Sequence, residues 1–393
     1  MEIIKSLFKA NFFTTGLAMF AMFFGSGNLV FPVSMGQVAG EQNIWAMAGL
    51  FITAVFLPFG TLCLMLLYNG NYDKFFRKIG FVPGKIVAFA TLALIGPFGV
   101  LPRCVAFSYS TFSIYFPSIS LAEYSLVACI LIFLLSVKEN DVVGIIGNFL
   151  TPILLISLAF IVIKGLQSEA IIGEDISSHM SDWEVFKTGF LEGYKTFDIF
   201  AALFFSSAII PAFHIVLGRN LLSCKKSLMR LAVKSSLVGM ALLFAVYCGL
   251  SFVAANLRGA LINIPGDKLL GNIANLTIGT GGGLVANLAV SLACLTTAIS
   301  LAVVSAEFFK REIFREKLSY VNSLTLVMII SLIFSLLGFD GIMRMVMPIL
   351  QVICPAVIAL IIVNALNFFW GFKYIRFPVY SIFIISLCVM IFT

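Results

Sequence analysis

The chain is 393 residues long; 61% of them are hydrophobic, only 11% are charged, and 41 are Phe. That is far more apolar than a soluble globular domain, which excludes soluble enzymes and disordered chains and predicts a helical integral membrane protein with the lipid bilayer as its solvent. The net charge of +7, from 25 Lys and Arg against 18 Asp and Glu, would suit a nucleic-acid partner in a soluble chain, but in a multi-span protein basic residues gather in the cytoplasmic loops, and no nucleic acid is implied.

Stretches of about 20 apolar residues, enough to cross a bilayer as a helix, fall near residues 12–33, 44–67, 86–112, 121–137, 142–166, 189–212, 231–256, 283–309, 320–338, 342–366 and 376–393. Eleven spans result, an all-α fold. Splitting the tenth around Pro348 and Pro355 would make twelve, but residues 341–366 are short for two crossings. The first span is followed by no small-residue cleavage site, so it is a retained helix rather than a signal peptide. With the N-terminus inside, Lys5, Lys9, Lys74, Arg77, Lys78, Lys85, Lys138, Arg219, Lys310, Arg311, Arg315 and Lys317 fall in cytoplasmic loops, and far fewer cations, such as Lys164 and Lys268, fall outside. That bias predicts a cytoplasmic N-terminus.

The longest outer connection, roughly Gln167 to Thr188, is too short for a core of its own, so function lies within the membrane. Most of the cysteines sit in apolar runs without CxxC spacing, and the two histidines, His179 and His214, lie far apart; neither a disulfide framework nor a zinc site is indicated. Hydrolase, kinase, metalloprotease and dinucleotide motifs are absent. The best reactive cluster near a membrane face, Glu307 with Lys310 and Arg311, has the spacing of a helix-end surface pair. Gradient-driven transport is favoured over a membrane enzyme, and a channel would need a more continuous polar lining.

The first span carries "FFGSGNLVFP", Phe23 to Pro32. Gly25 and Gly27 flank Ser26 and weaken the helix, and Pro32 has no N–H for the Asn28 carbonyl. A break here frees the carbonyls of Ala21 and Phe24 and the amides of Ser26 and Gly27. Freed carbonyls suit a cation and freed amides an anion; close packing of the two glycines is the alternative. In span 8, "LACLTTAIS" puts the Ala293 carbonyl and the Thr296 and Thr297 hydroxyls on one helical face, although membrane threonines also bond back to their own helix. Span 6 places Asp198 deep in apolar sequence, where a carboxylate needs a partner or a cavity. Arg103 in span 3, within "GPFGVLPRC", either pairs with it, contacts substrate or snorkels to the surface.

Four segments, "FFGSGNLVFPVSMGQVAG" from Phe23, "IGPFGVLPR" from Ile95, "GYKTFDIFAAL" from Gly193 and "LACLTTAIS" from Leu292, resemble the signature segments of BrnQ-type branched-chain amino acid:cation symporters (the LIVCS family of the APC superfamily). The resemblance implies a LeuT-like bundle of five plus five inverted spans: repeat 1 about 12–166, repeat 2 about 189–366, and an extra C-terminal helix at 376–393. It implies a single transporter domain in the cytoplasmic (inner) membrane of a bacterium that imports Leu, Ile or Val with sodium, without any resident cofactor. Carried over position by position, Gly25, Ser26, Gly27 and Asn28 receive the substrate carboxylate. Ala21, Phe24, Ala293, Thr296 and Thr297 hold sodium. Gly193 to Asp198 is similar to an unwound part of span 6, with Tyr194, Phe197 and Asp198 at the substrate and Phe197 as an aromatic gate; Pro32 and Arg103 are structural or gating. Proton coupling through Asp198 is the competing expectation. Family members usually have twelve spans, and this chain shows eleven.

Overall fold

The computed structural model describes residues 12–137, 151–171, 180–217 and 225–392. The expectations for Lys5, Lys9, Lys138, His179, Arg219 and the start of span 5 lie outside these residues. Among the described residues the chain is helical and contains no strand. In order, the helices are α1 (Phe12–Phe23), α2 (Ser26–Ala39), α3 (Asn43–Leu50), α4 (Leu57–Leu66), α5 (Tyr72–Phe76), α6 (Phe81–Ile95), α7 (Val100–Phe112) and α8 (Leu121–Ser136). They continue with α9 (Thr151–Gln167), α10 (Asp182–Tyr194), α11 (Asp198–Leu217), α12 (Lys225–Asn256), α13 (Leu269–Phe308), α14 (Tyr320–Ser335), α15 (Gly338–Trp370) and α16 (Arg376–Phe392).

Helix starts outside the apolar layer are capped by the expected chemistry. Ser120 with Glu123 and Ser181 with Glu184 form capping boxes at α8 and α10, and Ser319 accepts from the Asn322 amide at α14, each satisfying amides that a helix start leaves free. Within the bundle, small residues set how close helices approach. A side chain on Gly49 of α3 would run into the backbone of α10, and one on Gly189 of α10 into the backbone of α3. The two helices therefore cross at backbone contact, the usual way membrane helices gain dispersion energy where lipid removes the hydrophobic drive.

Predicted spans 1, 3 and 6 are interrupted rather than straight helices. Span 1 breaks between Phe23 and Ser26, and Pro32 lies inside α2, which continues through it; the glycines, not the proline, open the helix. Span 3 is also interrupted, at Gly96–Gly99 between α6 and α7, where a single span was expected. Span 8 begins close to its predicted start, at Gly281; α13 carries a preceding helical stretch from Leu269 and kinks at Gly279, whose φ of +80° is open to glycine at no steric cost. The tenth span is one helix, α15, passing through both Pro348 and Pro355, so the split that would yield two crossings does not occur. Among the described residues, five stretches are long and apolar enough to cross a membrane by length and composition.

Candidate functional site

The breaks in spans 1, 3 and 6 meet at one level of the bundle. Span 6 unwinds over Lys195–Phe197 between α10 and α11, and Phe197 adopts φ +66°, an uncommon conformation for an aromatic residue and one that tertiary contacts must hold. The break in span 1 is held from within. The Gly25 amide donates to Asn28 Oδ1 at 2.9 Å, so it is withdrawn from the Ala21 carbonyl that it would meet in a continuous helix.

Asn28 ties this break to two distant helices. Its Nδ2 donates to Asp198 Oδ2 at 2.6 Å and to the Tyr247 hydroxyl on α12 at 2.5 Å. An amide nitrogen has two protons and its oxygen accepts, so one side chain joins spans 1, 6 and 7. Asn28, Asp198 and Tyr247 are all buried.

Arg103, four residues beyond Gly99, is 1% exposed and neither reaches the surface nor forms an ion pair with Asp198. Its Nη1 donates to the Lys195 carbonyl at 2.6 Å, its Nη2 to the Thr196 carbonyl at 3.3 Å, and its Nε to Ser26 Oγ at 3.2 Å. The guanidinium also lies 5.0 Å from the Phe197 ring centroid and 5.7 Å from that of Phe31, within cation–π range. Its fixed fork of donors thus bonds the carbonyls that unwinding exposes in span 6 and clasps the start of α2. Gly27 makes room for this: a Cβ there would stand 2.8 Å from Arg103 Nη2 and 3.0 Å from Thr196 Cα.

On the other side of the break, Thr297 Oγ1 donates to the Phe24 carbonyl at 3.2 Å, joining span 8 to span 1. A Cβ on Gly25 would lie 3.0 Å from that hydroxyl. Thr296 instead bonds back to the Ala293 carbonyl at 2.9 Å. Of the five predicted cation ligands, Phe24 and Thr297 are brought together across the two helices, Ala21 contributes a carbonyl at the frayed end of α1, and Ala293 and Thr296 are engaged with each other.

A narrow cleft lies among these groups, its free volume of about 20 Å³ room for about one water. Its polar wall is Gly25, Ser26, Asn28, Arg103, Asp198 and Thr297, and its apolar floor is Ile95, Ala201, Phe205 and Leu301. Toward the other end of the bundle, Phe204 packs between Tyr72 and Phe308, with ring centroids 5.1 and 6.3 Å away. Tyr194 stands apart from the cleft, half-buried and edge-on to Phe190 at 5.2 Å. Ser26 also meets Cys104 Sγ at 3.4 Å. Tyr247, Phe205 and Leu301 carried no local signal in the sequence; their roles arise from contacts across the bundle. The Glu307 cluster is a helix-end pair, with Arg311 Nε 2.8 Å from Glu307 Oε2.

Residues 8–392 match the family described as branched-chain amino acid transport protein. The branched-chain amino acid permease BrnQ of Bacillus subtilis is 30% identical over 363 residues, covering 90% of this chain and 80% of the permease. The permease BrnQ of Escherichia coli K12 is 29% identical over 364 residues, with the same coverage. Among solved structures, Mhp1, a nucleobase-cation-symport-1 family transporter in a closed conformation with bromovinylhydantoin bound, superposes with a TM-score of 0.61 at 12% identity, over 98% of this chain and 93% of its own. MhsT in complex with L-phenylalanine gives 0.54 at 15% identity, over 96% and 97%. These two are likenesses of fold, and they establish the LeuT-like bundle.

Proposed function

Because this chain belongs to the family of branched-chain amino acid transport proteins, we propose that it imports Leu, Ile or Val together with sodium by alternating access. It is a multi-pass membrane transporter and not an enzyme, as its permease relatives are. The observation that carries sodium coupling is the bond from Thr297 to the Phe24 carbonyl at the break of span 1. A sodium ion seated there takes oxygens from Phe24, Ala21 and Thr297, a set that suits a hard cation at a half-helix C-terminus.

The substrate occupies the adjoining cleft, which widens to admit it as the bundle rocks. Its carboxylate meets the first-turn amides of α2 at Ser26 and Gly27, where the helix dipole favours an anion, with Arg103 alongside. The ammonium faces Asp198, and the aliphatic side chain lies on Ile95, Ala201, Phe205 and Leu301. Arg103 takes one lone pair of each of the Lys195 and Thr196 carbonyls, and the lone pair left on each is the second acceptor open to the ammonium. Selection among Leu, Ile and Val is weak, because one methylene in an apolar pocket is worth only about 1–3 kcal/mol. The N-terminus lies in the cytoplasm, from the distribution of Lys and Arg, and the membrane is the cytoplasmic (inner) membrane of a bacterium.

A second reading has one observation in its favour. Asp198 is buried, and no ion pair to it occurs among the described residues, so a proton carried on its carboxyl is the alternative coupling ion. Uptake of labelled isoleucine into proteoliposomes with a sodium or a proton gradient imposed separates the two. Sodium-driven accumulation supports the proposal, and accumulation driven by protons alone replaces it with the Asp198 reading.

A further inference from the structure

We infer that Asp267 is a proton-binding latch in the α12–α13 connection, which closes over one end of the bundle only when this carboxyl carries a proton. The connection is strapped to the far half of span 1. Gln37 Nε2 on α2 donates to the Leu261 carbonyl at 2.6 Å, Arg258 is buried against Gly40, and a Cβ on Gly266 would stand 2.9 Å from Ser34 Oγ. Its tie to span 3 is the hydrogen bond between Ser110 and Asp267 Oδ2. Ser110 is seven residues beyond Arg103 on α7, about 10 Å along the helix, so the strap covers the site from one side.

Two observations place the proton. Ser110 Oγ is shared between Asp267 Oδ2 and the carbonyl of Ala106, 3.1 Å away. A hydroxyl has one proton and a carbonyl has none; with the acid ionised the single Ser110 proton is divided between Asp267 and Ala106, whereas with the acid neutral Asp267 gives its proton to Ser110 and Ser110 gives its own wholly to Ala106. The other carboxyl oxygen, Oδ1, is buried without a partner, on a residue 7% exposed. An anionic oxygen in that position is far more costly than the C=O of a neutral acid. The charged groups facing it are exposed Asp340 on α15, which disfavours its ionisation, and Lys268 beside it, which favours it; α2 presents Ser34 and Gln37, and α7 presents Ser110. Burial first, and then Asp340, raise the Asp267 carboxyl above the usual carboxylate range, against Ser110, Lys268 and its own backbone amide.

When the strap lifts, the carboxyl meets water and ionises. A group raised in the closed state stabilises closure at low pH, and that contribution is lost as pH rises through its closed-state value, at up to about tenfold per pH unit in the closing equilibrium. On the orientation proposed above, this end faces outside, and closure draws its proton from the external medium whichever ion is coupled.

The full chain is reconstituted in proteoliposomes, and the initial rate of isoleucine uptake is measured against external pH at fixed internal pH. The rate falls as external pH rises. In Asp267→Asn, whose amide donates to Ser110 in place of the acid, it stays at the acid-side value throughout. An unchanged pH profile in Asp267→Asn overturns the latch. Should no uptake occur at all, which would count against the transport reading instead, Ser34→Cys provides a separate readout. Its labelling by a membrane-impermeant thiol reagent, compared with the parent chain, quickens as external pH rises with Asp267 present and is flat with Asp267→Asn. Labelling indifferent to pH also overturns the latch. A dependence removed by Asp267→Asn but set by internal pH supports the latch and overturns the orientation.

Discussion

Replacing Tyr247 by Phe removes one hydroxyl from a fully buried ring and leaves its packing intact. The consequence follows from Asn28, whose Nδ2 gives one proton to Asp198 and one to Tyr247 while Oδ1 holds the Gly25 amide. In Tyr247→Phe one buried N–H loses its acceptor, a loss of about 1–3 kcal/mol. The hydroxyl's own desolvation is removed at the same time, which leaves a net of about 1–2 kcal/mol, or roughly 5–30-fold. Because the Gly25 and Asp198 bonds remain, the site keeps its shape but loses rigidity. The change therefore falls on KM for isoleucine, with Vmax within about twofold. Initial rates in proteoliposomes over a range of isoleucine concentrations measure it. The hydroxyl acts only through Asn28, so Tyr247→Phe adds nothing to the melting temperature loss of Asn28→Ala in a double-mutant cycle. Additive losses, or a KM unchanged within twofold, would refute the network.

Other outcomes follow from the same geometry. Arg103→Lys keeps the charge but lacks the planar fork needed for the Ser26, Lys195 and Thr196 acceptors; with about 2–3 kcal/mol of charged hydrogen bonding lost, uptake falls roughly 30- to 150-fold while the protein still reaches the membrane. Gly27→Ala forces a methyl against Arg103 and the backbone at Thr196, and a larger loss of uptake is expected than for Ala substitution at Gly60, where a Cβ has no neighbour within 4 Å. At the start of α10, the Ser181 backbone amide and then its hydroxyl hold the Glu184 carboxyl below the usual range. This capping is in place above the unfolded carboxylate value of about 4.3 and is lost as pH falls through the lower folded value. Hydrogen exchange at the first turn of α10 therefore quickens under acid, and Glu184→Gln lacks that step.

The parts of the site legible in the sequence were those written in local chemistry. Gly25-Ser26-Gly27 signals a helix that opens, and the structure opens it one residue before Ser26; the role given to Pro32 was misplaced because a proline can sit inside a helix whose nearby groups find other partners. Span 6 has no comparable glycine density. Its break is held by Arg103 bonding backbone carbonyls at Lys195 and Thr196, and a carbonyl acceptor leaves no mark on residue identity. Asp198, one of the partners the sequence left open for Arg103, bonds Asn28 instead. Span 3 did advertise its interruption through Gly96, Pro97 and Gly99, but its apolar length reads as a single crossing. Tyr247 was invisible because it meets Asn28 across 219 residues of chain, with nothing local to single it out among apolar neighbours. The all-α membrane class, by contrast, follows from apolar length and the scarcity of charge, which the bilayer imposes on every span, while the LeuT-like arrangement of those spans was carried by the family resemblance alone.

The central claim is that sodium, bound where α13 meets the break of span 1, drives uptake of a branched-chain amino acid. The most direct test is isoleucine accumulation by proteoliposomes under an inward sodium gradient, comparing the parent chain with Thr297→Ala. The account predicts sodium-driven accumulation in the parent and, in Thr297→Ala, a rise of tenfold or more in the sodium concentration needed for half-maximal uptake. Accumulation indifferent to sodium, or a variant with an unaltered sodium dependence, would contradict it.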